Sequence, residues 1–262
     1  MQIERKEIAR FTLPSAALKA AFKYTDGARA PRDTNPALSG VCLALSKGGE
    51  LTAVTTNRCA LAYYPLTADA GIDTAEDFCG VQVVLPAGSP DLKNVNGPVT
   101  FIVTAENDRM YSNPAVTVLS EEKGAVEVPL LTSSFPNWRT VLQKGFLNVF
   151  HIGGELRLAF RHAWEAREKG YGDFADITLT FRDSQVEVRG TQHVNRFCVV
   201  IPANDLDNMP EGFSIIFRLH YVRDILKPFR KGIVSCHVND SVNPVEFSAE
   251  GVRVLYLPVR QR

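Results

Sequence analysis

FRLHYVRDILKPFRKG, residues Phe217–Gly232, sets Tyr221, Val222, Ile225, Leu226 and Phe229 at spacings of three and four. Within the same stretch Arg223, Lys227, Arg230 and Lys231 recur at i, i+4, i+7 and i+8. The two sets fall on different faces of a helix, so the segment predicts one packed side and one cationic side. Pro228 lies inside it, lacks a backbone donor and disfavours helical geometry at Lys227, so the last turn is expected to be kinked or tightened.

Working outward, each half of the chain repeats one order of elements. EIARF leads into a helix starting near Leu13, with Pro14 suited to a first turn and Ala16, Ala17, Ala20 and Ala21 favouring helix. In the second half NVFHI leads into GGELRLAFRHAWEAREKG. Strand pairs follow: GVCLALSKGGELTAVTT in the first half and ADITLTFRDSQVEVRG in the second, where Ile177, Leu179 and Phe181 alternate with polar residues. Lys47-Gly48-Gly49 and Arg182-Asp183-Ser184 have turn chemistry. VQVVLPAGSPDLKNVNG is the first-half counterpart of FSIIFRLHYVRDILKPFRKG, each placing a helix or turn after a strand that looks parallel. The segments PVTFIVTA and AVTVLS are expected to complete the first half as strands. Ser133, Ser134 and Pro136 interrupt the strand pattern, which predicts domains at 1–132 and 143–262 with a linker at 133–142. Asp69, Asp73, Glu76 and Asp77 stand without a base and read as a solvated loop.

The chain of 262 residues is 45% hydrophobic, enough for one large core or two ordinary ones, and the repeated order selects two. Its 29 Lys and Arg offset 29 Asp and Glu, so any nucleic-acid contact depends on charge sorted onto one surface. Cys42, Cys59, Cys79, Cys198 and Cys236 are dispersed with no CxxC pair, which argues against a zinc site and a secreted disulfide framework and favours a reducing, cytoplasmic setting. MQIERKEIARF lacks a signal-peptide core, and no run approaches the roughly 18 apolar residues of a membrane span. The reading is a soluble, unexported protein.

Cationic faces recur. Lys19 and Lys23 lie one turn apart on the first helix, and Arg157 and Arg161 do so opposite Leu156, Phe160, Ala163 and Trp164; the remaining element carries Lys93. Any one such stripe reads as an ordinary solvated face. Stripes at equivalent positions of a repeat point instead to phosphate contact, which needs placed cations and no base readout. Catalysis is poorly supported. His151, His162, His193, His220 and His237 are scattered, and there is no HExxH, GxSxG or GxxxxGK[ST]. Cys59 beside Arg58 could form an activated thiol, but a small packed cysteine is the better reading.

The order of helix, DSVNPVEF strand and apolar strand ending LPVR resembles the last domain of the bacterial DNA sliding clamp, the DNA polymerase III beta subunit. FTLPSAALKAAFKYT, LSGVCLALSKGGELTAVTTNRCALA and FPNWRTVL resemble that family's central domain helix, its following hairpin and the linker into the last domain. The resemblance covers nearly the whole chain and matches the central and C-terminal domains only. It implies an α+β fold of two repeated DNA-clamp domains, each with antiparallel outer sheets and two inner helices. Six such domains make the family's ring, so two per chain imply a homo-oligomer, with a trimer favoured.

The function so implied is a processivity factor that encircles duplex DNA, needs no cofactor or metal, and tethers a DNA polymerase and clamp loader through their peptide motifs. DNA-facing residues would be Lys19, Lys23, Lys93, Arg157, Arg161, Arg223, Lys227, Arg230 and Lys231. By match to the family, the peptide groove would use Leu38, Thr56, Leu61, Pro136, Val141, Leu257, Pro258, Val259 and Arg260. Each of these aliphatic residues has a plain alternative as core. The chain departs from the family's Asp-Gly-His-Arg with Asn57-Arg58-Cys59-Ala60. A clamp-like regulator or decoy that binds replication proteins without encircling DNA is the competing reading.

Overall fold

The computed structural model describes residues 5–30, 35–69, 71–86, 92, 95–106, 113–131, 134–142, 145–171, 174–182, 184–191, 193–194, 196–202, 209–229 and 232–259. The chain forms two compact units, Met1–Asn57 with Ala62–Asn137, and Arg58–Leu61 with Trp138–Arg262.

The first unit begins with β1 (Arg5–Pro14) and α1 (Ser15–Thr25). There follow β2 (Gly40–Ser46), β3 (Leu51–Thr56), β4 (Ala60–Leu66, of which Ala62 onward counts with this unit), the short β5 (Ile72–Thr74) and β6 (Gly80–Pro86). It ends with β7 (Pro98–Glu106), β8 (Ala115–Ser120) and β9 (Gly124–Val128). One sheet runs β5-β1-β7-β8-β9 and the other β4-β3-β2-β6. Period-two burial makes the sandwich: Val99, Phe101, Val103 and Ala105 of β7 are buried while the residues between them are half-exposed. They join Val41, Leu43 and Leu45 of β2 and Leu18, Ala21 and Phe22 of α1 in one core, with Phe11 stacked on Phe101 at 5.1 Å. Gly49, at φ +80°, closes the β2–β3 hairpin by donating its N–H to the Ser46 carbonyl at 3.0 Å.

The second unit repeats this order. β10 (Asn148–Ile152) leads into α2 (Gly154–Glu165). Then come β11 (Asp176–Arg182), β12 (Gln185–Gly190), β13 (Cys198–Pro202) and β14 (Ser214–Arg218). α3 (Leu219–Leu226) and β15 (Val234–Val238), β16 (Val245–Ala249) and β17 (Val252–Tyr256) complete it. One sheet has the order β13-β12-β11-β14, strand for strand the order β4-β3-β2-β6; the other, β10-β15-β16-β17, repeats β1-β7-β8-β9. Aromatic rings bridge the two sheets: Phe150 meets Phe181 at 4.9 Å, and Phe217 meets both Phe247 and Tyr256 at 5.9 Å. Such contacts add to the area term of ring burial. Asp176, buried at the start of β11, accepts from Arg218 Nε at 3.0 Å at the end of its partner strand β14.

Four expectations change. Both strands that look parallel, β6 and β14, pair antiparallel, with β2 and β11 respectively; a short apolar run does not specify the direction of pairing. The acidic loop is not wholly loop: Ile72–Thr74 pairs with β1, and Asp77 meets Lys6 Nζ at 3.0 Å, a base 71 residues away in sequence. The helix expected across 217–232 is shorter, because Phe217 and Arg218 close β14 and α3 ends at Leu226. Lys227 retains helical dihedrals and its N–H reaches the Arg223 carbonyl at 3.0 Å, contrary to the pre-proline bias. Pro228 has no N–H to continue the ladder, and Phe229 bonds back to Leu226 at 3.0 Å, tightening the turn. The first unit's counterpart of α3 falls on 87–94, of which only Leu92, helical and buried, is described.

Gly190 ends β12 where a Cβ would stand 1.9 Å from the Val194 carbonyl oxygen, while its own N–H donates to Phe197 at 2.8 Å. Gly190→Ala is therefore expected to cost about 2–3 kcal/mol in urea unfolding. Gly153→Ala, where a Cβ meets open space, is expected to stay within about 0.5 kcal/mol.

Candidate nucleic-acid interface

α2 and α3 pack against each other in the second unit. Each buries one stripe: Leu156, Ala159, Phe160 and Ala163 on α2, and Leu219, Val222, Ile225 and Leu226 on α3. With those positions committed to the core, the remaining positions carry Arg157 and Arg161 on one helix and Arg223 and Lys227 on the other. These four cations rim a groove of about 320 Å³ floored by Phe160, Trp164, Leu219 and Leu226. Cations one turn apart stand about 6 Å apart along each helix axis.

The four are not equivalent. Arg161, Arg223 and Lys227 are exposed. Arg157 is half-buried and donates to the Gly232 carbonyl at 3.2 Å; burial lowers its pKa from the ordinary arginine value. Arg223 is held twice, by Asp224 at 2.9 Å and by the Trp164 ring, whose centroid lies 4.2 Å from its guanidinium carbon. Arg167 also lies over Trp164, at 3.7 Å, and donates to the Trp164 carbonyl. Cation–π contact of this kind fixes a guanidinium while leaving its charge in place.

Sequence reasoning placed Trp164 among the apolar residues and passed over Arg167 and Asp224. The pair Trp164–Arg167 at i, i+3 was the available signal for the first contact. Nothing in the sequence pointed to α3's Arg223 reaching a ring on α2, since 59 positions part them.

In the first unit, α1 buries Leu18, Ala21, Phe22 and Thr25 and exposes Lys19 and Lys23, with Lys23 Nζ 4.6 Å from the Tyr24 ring centroid. Lys93, Arg230, Lys231 and Arg260 lie outside the described residues.

The peptide-binding candidates divide between the units. In the first, Leu38 is buried in the 3₁₀ turn Pro36–Ser39, Thr56 is buried at the end of β3, and Pro136 is exposed. In the second, Leu61 and Pro258 are buried, Val259 is half-buried, and Val141 and Leu257 are exposed. The tail is pinned: Leu257 donates to the Cys59 carbonyl and Val259 to the Ile216 carbonyl, both at 3.0 Å. Leu257, Pro258 and Val259 are thus held beside the segment that carries Leu61. All five cysteines are thiols. Among the described residues no group of three His, Cys, Asp or Glu is placed to hold a metal ion, and no helix is long and apolar enough to cross a membrane.

No family model matches the chain, and no curated protein does. Solved structures do. The DNA polymerase III subunit beta from Pseudomonas aeruginosa superposes at a TM-score of 0.77 with 19% identity, covering 96% of this chain and 66% of that one. A DNA polymerase sliding clamp from Pseudomonas aeruginosa with ligand gives 0.76, again at 19% identity, covering 98% of this chain and 67% of that one. The fold is that of the bacterial sliding clamp. The chain spans about two-thirds of the length of these clamps. Its units are two copies of the α+β clamp module, with antiparallel strand pairs in each.

Where the clamp resemblance places glycine, Arg58 sits at φ +74°, in the left-handed region. A non-glycine residue there is strained by roughly 1–3 kcal/mol. Arg58→Gly is expected to raise the stability by on the order of 1 kcal/mol, since glycine's greater unfolded entropy offsets part of the relief. A higher thermal midpoint with unchanged circular dichroism is the readout.

Proposed function

We propose that the chain is a sliding-clamp subunit that encircles duplex DNA and tethers a polymerase, without catalysing a reaction itself. The observation that carries this reading is the clamp module built twice, with exposed lysines on α1 and a four-cation rim on α2 and α3. A topological link needs only weak attraction to phosphate, which such cations supply without sequence preference.

Open sheet edges suggest how copies would join. β13 and β9 are edges of their sheets, and Val200 of β13 is 54% exposed. Setting β13 of one copy against β9 of the next would cover both open edges, a head-to-tail contact that closes into a ring. Six modules to a ring, as in the clamp family, makes a homotrimer. Leu257 and its neighbours in the tail would then serve the groove that takes peptide motifs of the polymerase and clamp loader, as a protein of the cytoplasm.

A second reading rests on Arg58. Its side chain stands where the clamp pattern has none, so the chain could be a regulator that uses the fold to bind replication proteins without encircling DNA.

Two measurements separate the readings. Light scattering across concentration is expected to give three times the 28.9 kDa chain mass; a persistent monomer would favour the regulator. Arg223→Glu with Lys227→Glu is expected to weaken DNA association and lower the slope of log K against log salt by about 1.8, from two lost phosphate contacts. An unchanged slope in the folded double variant rules out those residues as DNA contacts.

A further inference from the structure

The floor of the α2–α3 groove has no role in gripping a duplex. Double-stranded DNA presents phosphates and sugars and keeps its base faces stacked inside, so it would engage the exposed cations of the rim and leave Phe160, Trp164, Leu219 and Leu226 uncovered. An apolar depression of about 320 Å³ is at the small end of ligand cavities, roughly 300–1,000 Å³, which suits a single large side chain. We propose that this groove binds an acidic peptide, seating one large apolar side chain between α2 and α3 with carboxylates on either side of it.

Charge and hydrogen-bonding capacity select this occupant. Exposed Arg161 and Lys227 stand on opposite helices, so an anchor lying on the floor has a cation to each side for a flanking Asp or Glu. Arg157 is held by Gly232 and needs little ordering on binding, while Arg223 lies over Trp164 with its charge partly offset by Asp224. An unpaired nucleobase would match the charge of the rim through its phosphate, but its edge carries donors as well as acceptors. The side chains lining the groove offer donors only, so the N–H groups of a base edge would lose water and gain no acceptor from them. A phenylalanine or leucine anchor makes no such demand. The site lies wholly in the second unit, and the proposal stands whether or not duplex DNA passes the same helices. If it does, peptide and DNA exclude one another at Arg161 and Lys227.

The test uses the full chain and three fluorescein-labelled probes at low salt: a 12-residue Asp/Glu/Gly/Ser peptide with one central Phe, the same peptide with Ala in its place, and a 12-nucleotide oligothymidine. Fluorescence polarisation is expected to show the Phe peptide binding at least about tenfold more tightly than the Ala peptide, a comparison that needs no protein variant. Arg161→Glu, checked for fold by circular dichroism, should reduce Phe-peptide binding at least about tenfold. In a Trp138→Phe chain, which leaves Trp164 as the only indole, the Phe peptide should shift the emission. Equal affinity for the two peptides would overturn the proposal by reducing the site to charge alone. An emission shift with oligothymidine but not with the Phe peptide would overturn it in favour of a base-binding groove.

Discussion

Burial of aromatic rings between two antiparallel sheets is the constraint on which the rest of this protein depends. In the first unit Phe11 and Phe101 stack across β1 and β7, and in the second Phe150, Phe181, Phe217, Phe247 and Tyr256 join one sheet to the other. Fully burying one such ring contributes about 1.5–3 kcal/mol. The gain requires strict alternation along every strand, because a one-residue slip would turn the rings to solvent. Register in turn sets where each helix leaves its strand. β14 runs directly into α3, so the burial of Phe217 determines which way Arg223 and Lys227 face.

The cationic surface of the second unit is what remains of α2 and α3 after their apolar stripes are committed. That subtraction does not make the cations alike. Gly232 takes one hydrogen bond from half-buried Arg157, whereas Arg161, Arg223 and Lys227 are exposed, Arg223 lying against Asp224 and Trp164. A chain with no net charge thereby acquires a local positive rim over an apolar floor, an arrangement that attracts anions through a short-range, salt-sensitive field.

Much of this was legible in the residues, for reasons that are local. The 3.6-residue period of Leu156, Phe160 and Ala163 defines the buried face of α2, and the two-residue period of Ile177, Leu179 and Phe181 defines β11. Lys47-Gly48-Gly49 marks the β2–β3 turn because glycine alone is unstrained at φ +80°. What escaped reading came from partners distant in sequence. Lys6 reaching Asp77, Arg157 reaching Gly232 and Arg223 reaching Trp164 have no periodic signature, and the shortness of α3 reflects the strand that claims Phe217 at one end and a missing donor at Pro228 at the other.

By itself, then, the order of residues determined the two-fold repetition of strand, helix and meander and the sidedness of each helix, since period and turn chemistry are set by neighbours along the chain. The direction of strand pairing, the edge strand at Ile72–Thr74, the left-handed backbone at Arg58 and the distinct contacts of Arg157 and Arg223 were decided only in three dimensions. Those features depend on which surfaces and hydrogen-bonding groups a segment meets after folding, and no window of sequence contains both partners.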